Sequence, residues 1–197
     1  MGQKFYRLCC AFARPFYSLV YPSTVEGLEN LPDEGGCIVC ANHLSARDPF
    51  YLAVKVRNRY LHFMAKAELF RFKPVAWFMR GLMSFPVDRG HNDLNAVRTA
   101  LKLVADGHVL GVFPQGTRSR DNTPTPMHTG VALIALRAGK PVIPVYIGGP
   151  YRLFRRIPMR VGKPVDLSEF NRKMDSDALQ KATERIESAI WSLKSDK

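Results

Sequence analysis

"CIVCANHLSARDPFYLAVK", residues 37–55, runs from a continuous apolar stretch through a polar turn into a patterned segment. "CIVCAN" has the unbroken apolar character of a strand buried on both faces. Asp48-Pro49 then reads as a helix start, because Asp is a favoured N-cap and Pro is favoured at the first helical position. The same alternation recurs outward from this unit. "TVEGLE" (24–29) is expected as a short strand, "YLHFMA" (60–65) as another, and 67–81 as one or two helical turns around Pro74. Asn92 to Asp106 places Leu94, Val97, Leu101 and Val104 on one helical face, with Gly107 as the stop. "HVLGVFP" is a further buried strand, "GVALIALRAGK" a helix stopped by Gly139, and "PVIPVYIGG" a strand demoted by Pro144. Asp177 to Leu193 closes the chain as an amphipathic helix. Strands alternating with helices predict a single α/β domain, a largely parallel central sheet flanked by helices.

The chain has 197 residues, a length suited to one domain, and a net charge of +12 that implies an anionic partner. Residues 55–80 carry Lys55, Arg57, Arg59, Lys66, Arg71, Lys73 and Arg80 against Glu68 alone, and "RLFRRIPMR" (152–160) has no acid. Both clusters interleave basic with apolar side chains, which suits an anionic membrane surface. No recognition-module signature accompanies them, so nucleic acid is not the expected partner. Cys37 and Cys40 form a CxxC, but a strand sends positions three apart to opposite faces, so they are expected as small core residues rather than metal ligands. In residues 1–22 the apolar run is broken by Arg7 and Arg14, and Pro15 is expected to interrupt any single helix. No spanning helix or signal peptide fits, and an amphipathic membrane-associating segment ahead of a 23–197 domain is expected.

His43 is expected at the carboxyl end of a buried strand, where α/β folds place ligand sites. A four-residue turn would let Asp48 cap the helix with one carboxylate oxygen and accept the imidazole N–H with the other. That arrangement fixes the tautomer and leaves the second ring nitrogen to take a proton from an attacking hydroxyl. On its own, such a pair also fits a helix cap beside a surface histidine. "VFPQGTRSRDNTP" (112–124) leaves a strand and offers backbone N–H groups, hydroxyls, Arg118 and Arg120 to a phosphate. It lacks the terminal Gly-Lys-Ser/Thr of a nucleotide loop, and no G-x-S-x-G provides a serine nucleophile. "SFPVDRG" (84–90) places Arg89 just past another strand-like run. His62 is expected to be structural, and His91 and His108 to flank a helix facing solvent.

"NHLSARD", "FPVDRG", "FPQGTRS" and "VIPVYI", in this order, resemble the four motifs of the glycerolipid acyltransferases, closest to the bacterial 1-acylglycerol-3-phosphate acyltransferases. The resemblance covers about Val25 to Val165. It implies acyl transfer from an acyl thioester (acyl-ACP or acyl-CoA) to the hydroxyl of lysophosphatidate, at the cytoplasmic face of the membrane and without an acyl-enzyme, metal or other cofactor. By the same resemblance His43 is the general base and Asp48 its orienter. Arg118, Arg89 and Lys66 would hold the acceptor phosphate, and Gln115, Gly116 and Thr117 would line the substrate loop. The family docks on membranes through an N-terminal helical element, matching residues 5–21. Two positions depart from the pattern: Gln115 stands where glutamate is usual, and His128 where lysine is common. Another acceptor, such as glycerol-3-phosphate or a lysophospholipid, or a catalytically silent lipid-binding role, stays open at this level.

Overall fold

The computed structural model describes residues 2–88, 93–119, 122–170 and 174–194. Helix α1 (Gly2–Val20) leads into β1 (Val25–Glu26), β2 (Cys37–Ala41), α2 (Asp48–Lys55), β3 (Leu61–Lys66), α3 (Lys73–Gly81) and β4 (Ser84–Val87). Then come α4 (Leu94–Ala105), β5 (Val109–Val112), α5 (Gly130–Ala138), β6 (Val142–Ile147), β7 (Met159–Val161) and α6 (Ser176–Ser192). The strands form one sheet in the order β1-β7-β6-β2-β5-β3-β4. Every neighbouring pair is parallel except β6 with β7. This is the expected α/β domain.

Period-two alternation along β2 divides the core. Cys37, Val39 and Ala41 face a cluster that includes Tyr6, Cys10 and Tyr17 of α1 and Tyr51, Leu52, Ala53 and Val54 of α2. Ile38 and Cys40 face the other cluster, built from α4, α5 and α6 through Val104, Ile134, Ile186 and Ile190. Cys37 and Cys40 therefore lie on opposite faces of the sheet. Ile186 and Ile190 have no exposed surface, so each contributes roughly 1.5–3 kcal/mol of burial.

Four expectations are corrected. The strand at 24–29 shortens to β1, followed by a single 3-10 turn at Leu28–Asn30. Pro15 does not divide the N-terminal segment; α1 is one helix of 19 residues, and its buried face packs into the domain core. Within the basic cluster 152–160, Met159–Val161 is a strand, pairing with β6 through Val145↔Val161, Tyr146↔Arg160 and Ile147↔Met159. Pro144 stands in an interior strand, not at an edge. Its carbonyl accepts from Gly162 N–H at 2.8 Å, one residue past the end of β7, so its missing N–H faces the point where that ladder stops. Gly162 also makes room for the ring, because a Cβ there would lie 2.9 Å from Pro144 Cγ.

Parallel pairing brings the carboxyl ends of β2, β3 and β5 to one side of the sheet. Lys66 ends β3, His43 lies two residues past β2, and the loop from Phe113 follows β5.

Candidate active site

Asn42 is the first residue past β2 and is fully buried. Its side chain acts as a peptide substitute: Oδ1 accepts Ile147 N–H at 2.7 Å, and Nδ2 donates to Ile147 O at 2.9 Å and to Asn122 Oδ1 at 3.2 Å. This clamp ties the exit of β2 to the end of β6 and satisfies groups that burial would otherwise leave costly.

The turn that follows brings His43 and Asp48 together. His43 Nδ1 lies 2.8 Å from Asp48 Oδ2, with His43 8% exposed and Asp48 fully buried. The same Oδ2 accepts Leu44 N–H at 2.6 Å and Ser45 N–H at 2.8 Å. The carboxylate is thus turned back into the turn, and the expectation that Asp48 caps the helix is not met. Asp48 is the first residue of α2 rather than its N-cap, and its Oδ2 is taken by two turn amides. A carboxylate only accepts, so the contact turns Nδ1–H toward Asp48 and leaves Nε2 as the ring nitrogen directed away from it. The ring also stacks on Phe113, with centroids 4.3 Å apart, so it is held from a second direction.

The loop after β5 is laced to the same turn. Gln115 Oε1 accepts His43 N–H at 2.8 Å, and His43 O accepts Ser119 N–H at 2.9 Å. Gln115 is 3% exposed, and its Nε2 has no partner among the described residues. Only an oxygen is used by the turn, which explains how an amide serves at a position where the sequence pattern favours a carboxylate. Gly116 has φ 66°, and a Cβ there would meet the His128 imidazole at 2.8 Å. Glycine is required at this bend. Thr117 and Arg118 beyond it are exposed, and Arg118 makes no ion pair among the described residues.

These groups open onto a cavity of about 1360 Å³. Its polar wall includes His43, Ser45, Arg47, Lys66, Gly116, Thr117 and Arg118; its apolar wall includes Tyr6, Tyr17, Ala53, Val54, Phe63 and Leu82. A lining that combines cationic and apolar side chains suits a molecule with a phosphate and an acyl chain. Lys66 is exposed and paired with Glu68 at 3.0 Å, a weak surface contact that an incoming phosphate can exchange. Arg89, Arg120 and His91 lie outside the described residues. His62 and His108 stand away from this cavity with ring centroids 4.9 Å apart; His108 is half-buried, not solvent-facing as expected. Burial, then His108, holds the His62 imidazole below its ordinary value.

The residues missed from sequence are Asn42, Phe113 and Tyr17. Asn42 and Phe113 adjoin the quoted motifs, yet their work depends on contacts 105 and 70 positions along the chain, which no local pattern reports. Tyr17 lines the cavity from α1, where burial pushes its phenol up to about 12 against the opposing pull of the Arg47 cation.

The model of the Acyltransferase family matches residues 22–148. This chain belongs to the acyltransferase family. Among its relatives, the 1-acyl-sn-glycerol-3-phosphate acyltransferase of Bacillus subtilis (strain 168) is 30% identical over 193 residues, 95% of this chain and 96% of that protein. The 1-acyl-sn-glycerol-3-phosphate acyltransferase of Streptococcus pneumoniae is 30% identical over 162 residues, 79% of this chain and 60% of that protein. The crystal structure of the 1-acyl-sn-glycerophosphate (LPA) acyltransferase PlsC from Thermotoga maritima superposes with a TM-score of 0.72 at 28% identity, covering 96% of this chain and 80% of that one. The match to a solved acyltransferase runs over nearly the whole chain.

Proposed function

We propose that this acyltransferase moves a fatty acyl group from an acyl thioester, on acyl carrier protein or coenzyme A, to the free hydroxyl of 1-acylglycerol-3-phosphate, giving phosphatidic acid. The observation that carries the reading is the 2.8 Å contact of His43 Nδ1 with a buried Asp48, at the polar wall of a cavity whose other wall is apolar. His43 Nε2 takes the hydroxyl proton as the oxygen attacks the thioester carbon. The C–S bond then breaks, and the imidazolium returns the proton to the departing thiolate. Asp48 stabilises the imidazolium, and no acyl-enzyme is needed. Arg118, with Lys66 and Arg89, holds the acceptor phosphate. Gln115 supports the His43 main chain, and the loop at Gly116 and Thr117 lines the site beside the thioester.

The membrane part of the reading rests on α1. Its outer face exposes Leu8, Phe12, Phe16 and Leu19 at helical spacing, with Lys4 and Arg7 beside them, while its inner face is buried. We read this exposed apolar stripe as an interfacial face of α1; no helix among the described residues is long and apolar enough to cross a membrane. We place the enzyme at the cytoplasmic face, consistent with four free cysteines.

The test gives the purified protein lysophosphatidate with acyl-ACP or acyl-CoA and measures phosphatidic acid, with His43→Ala in parallel. Transfer by the parent, lowered on the order of 10²–10⁴-fold in the variant, is expected. No transfer from either donor, or equal transfer by His43→Ala, overturns the reading.

A further inference from the structure

The turn at 150–157 is built rather than slack, and it displays the wrong side chains for water. Arg152 N–H donates to Pro150 O at 2.9 Å and Arg155 N–H to Arg152 O at 3.1 Å. Phe154 N–H donates to Val20 O at 2.8 Å and Ile157 N–H to Pro22 O at 2.8 Å, which pins the turn against the end of α1. At its tip Leu153 is 66% exposed and Phe154 69% exposed. Phe154 has φ 61°, an outlier for a bulky residue. Among the described residues its ring makes no aromatic or cation–π contact. Arg152, Arg155 and Arg156 surround this tip, all exposed and in no ion pair among the described residues. Strain spent on holding an aromatic ring outward is explained by something that receives the ring.

We propose that this turn is a second lipid-contacting element, in which Leu153 and Phe154 enter an anionic bilayer and the three arginines hold lipid phosphates. The charge pattern selects the partner: apolar tip residues ringed by cations fit the headgroup and acyl boundary of an anionic membrane. Continuity favours lipid as well, because the turn bonds to Val20, the residue after Leu19, which ends the exposed apolar stripe of α1. The proposal rests on the reading that α1 docks on membranes, and it adds a consequence. Helix α1 is about 27 Å long. Phe5 and Trp77 meet near its start with ring centroids 5.1 Å apart, and Trp77 is 57% exposed. Lipid contacts at both ends fix the tilt and rotation of α1, and with them the attitude of the cavity it lines.

The experiment measures sedimentation of the full chain with vesicles of phosphatidylcholine alone and of phosphatidylcholine with phosphatidylglycerol. Changing Arg152, Arg155 and Arg156 together to Gln is expected to weaken binding to the anionic vesicles on the order of a hundredfold, about fivefold for each cation. Phe154→Gly relieves the positive φ, so its thermal midpoint should equal or exceed the parent's while its vesicle binding falls about tenfold. Unchanged vesicle binding by both variants overturns the proposal. So does a loss confined to transfer from acyl-ACP, which would assign the turn to the acidic carrier protein. A Phe12→Ser/Phe16→Ser variant separates the two membrane readings: if it binds like the parent while the turn variants do not, the α1 reading fails alone. A parent that binds neither vesicle overturns both.

Discussion

Three donors converge on Asp48 Oδ2, and each constrains what a substitution there does. Asp48→Asn keeps an oxygen for the Leu44 and Ser45 amides, so the turn should fold. The amide cannot stabilise an imidazolium as a carboxylate does, so kcat should fall on the order of 10²–10⁴-fold with little change in KM for lysophosphatidate. Steady-state kinetics checks this, and activity within about twofold of the parent would remove Asp48 from the mechanism. Gln115 gives a second expectation. Gln115→Ala leaves the buried His43 N–H without an acceptor and should cost ~1–3 kcal/mol in urea unfolding. Gln115→Glu keeps the oxygen and removes an amide donor that has no partner, so it should be more stable and more active than the alanine variant. The reverse order would show that the amide itself is needed.

The elements that carry the site are held by their neighbours more than by their own propensities. β6 tolerates Pro144 only because β7 ends beside it and Gly162 leaves space for the ring. Gly162→Ala would set a Cβ 2.9 Å from Pro144 Cγ and 3.3 Å from the Leu193 methyls. Leu193 can shift; a proline ring in a strand cannot. A loss of ~1–3 kcal/mol is expected, read as a lower urea midpoint at unchanged slope. Because Asn42 clamps Ile147 at the end of β6, this variant should also lower activity more than a surface change of equal cost.

At the scale of the molecule, the basic charge and the acid response belong to different regions. The His62 imidazole is held low by burial and by His108, on the sheet away from the cavity. A base whose folded value lies below its unfolded one is protonated first in the unfolded chain. Its neutral form therefore stabilises the fold fully above about pH 6.5, and stability falls as pH drops through that value toward the folded one. His108 and the Val109 backbone face the ring. The thermal midpoint of the parent should fall faster than that of His62→Gln between about pH 7 and pH 5.5. Parallel curves would show that His62 carries none of the acid sensitivity. Docking makes the opposite demand, since lower pH adds cationic charge and should strengthen attachment to an anionic surface while the fold weakens.

The alternation of apolar runs with patterned segments was enough to determine the α/β class, because period two and period 3.6 are local properties of the chain. The motifs pointed to His43, Asp48 and the 112–124 loop as one candidate site, since residue types at strand ends are also local. Tertiary structure decided how they do so. Asp48 faces back into its turn because two amides lie there, and Gln115 supports a main-chain N–H 72 positions away. α1 became part of the core despite Pro15, because its buried face lines the cavity. β7 escaped notice inside a basic cluster because three residues carry no period, and only β6 beside it makes them a strand. Spacing along the chain chooses the groups; which oxygen each donor reaches depends on neighbours that only folding brings within hydrogen-bond distance.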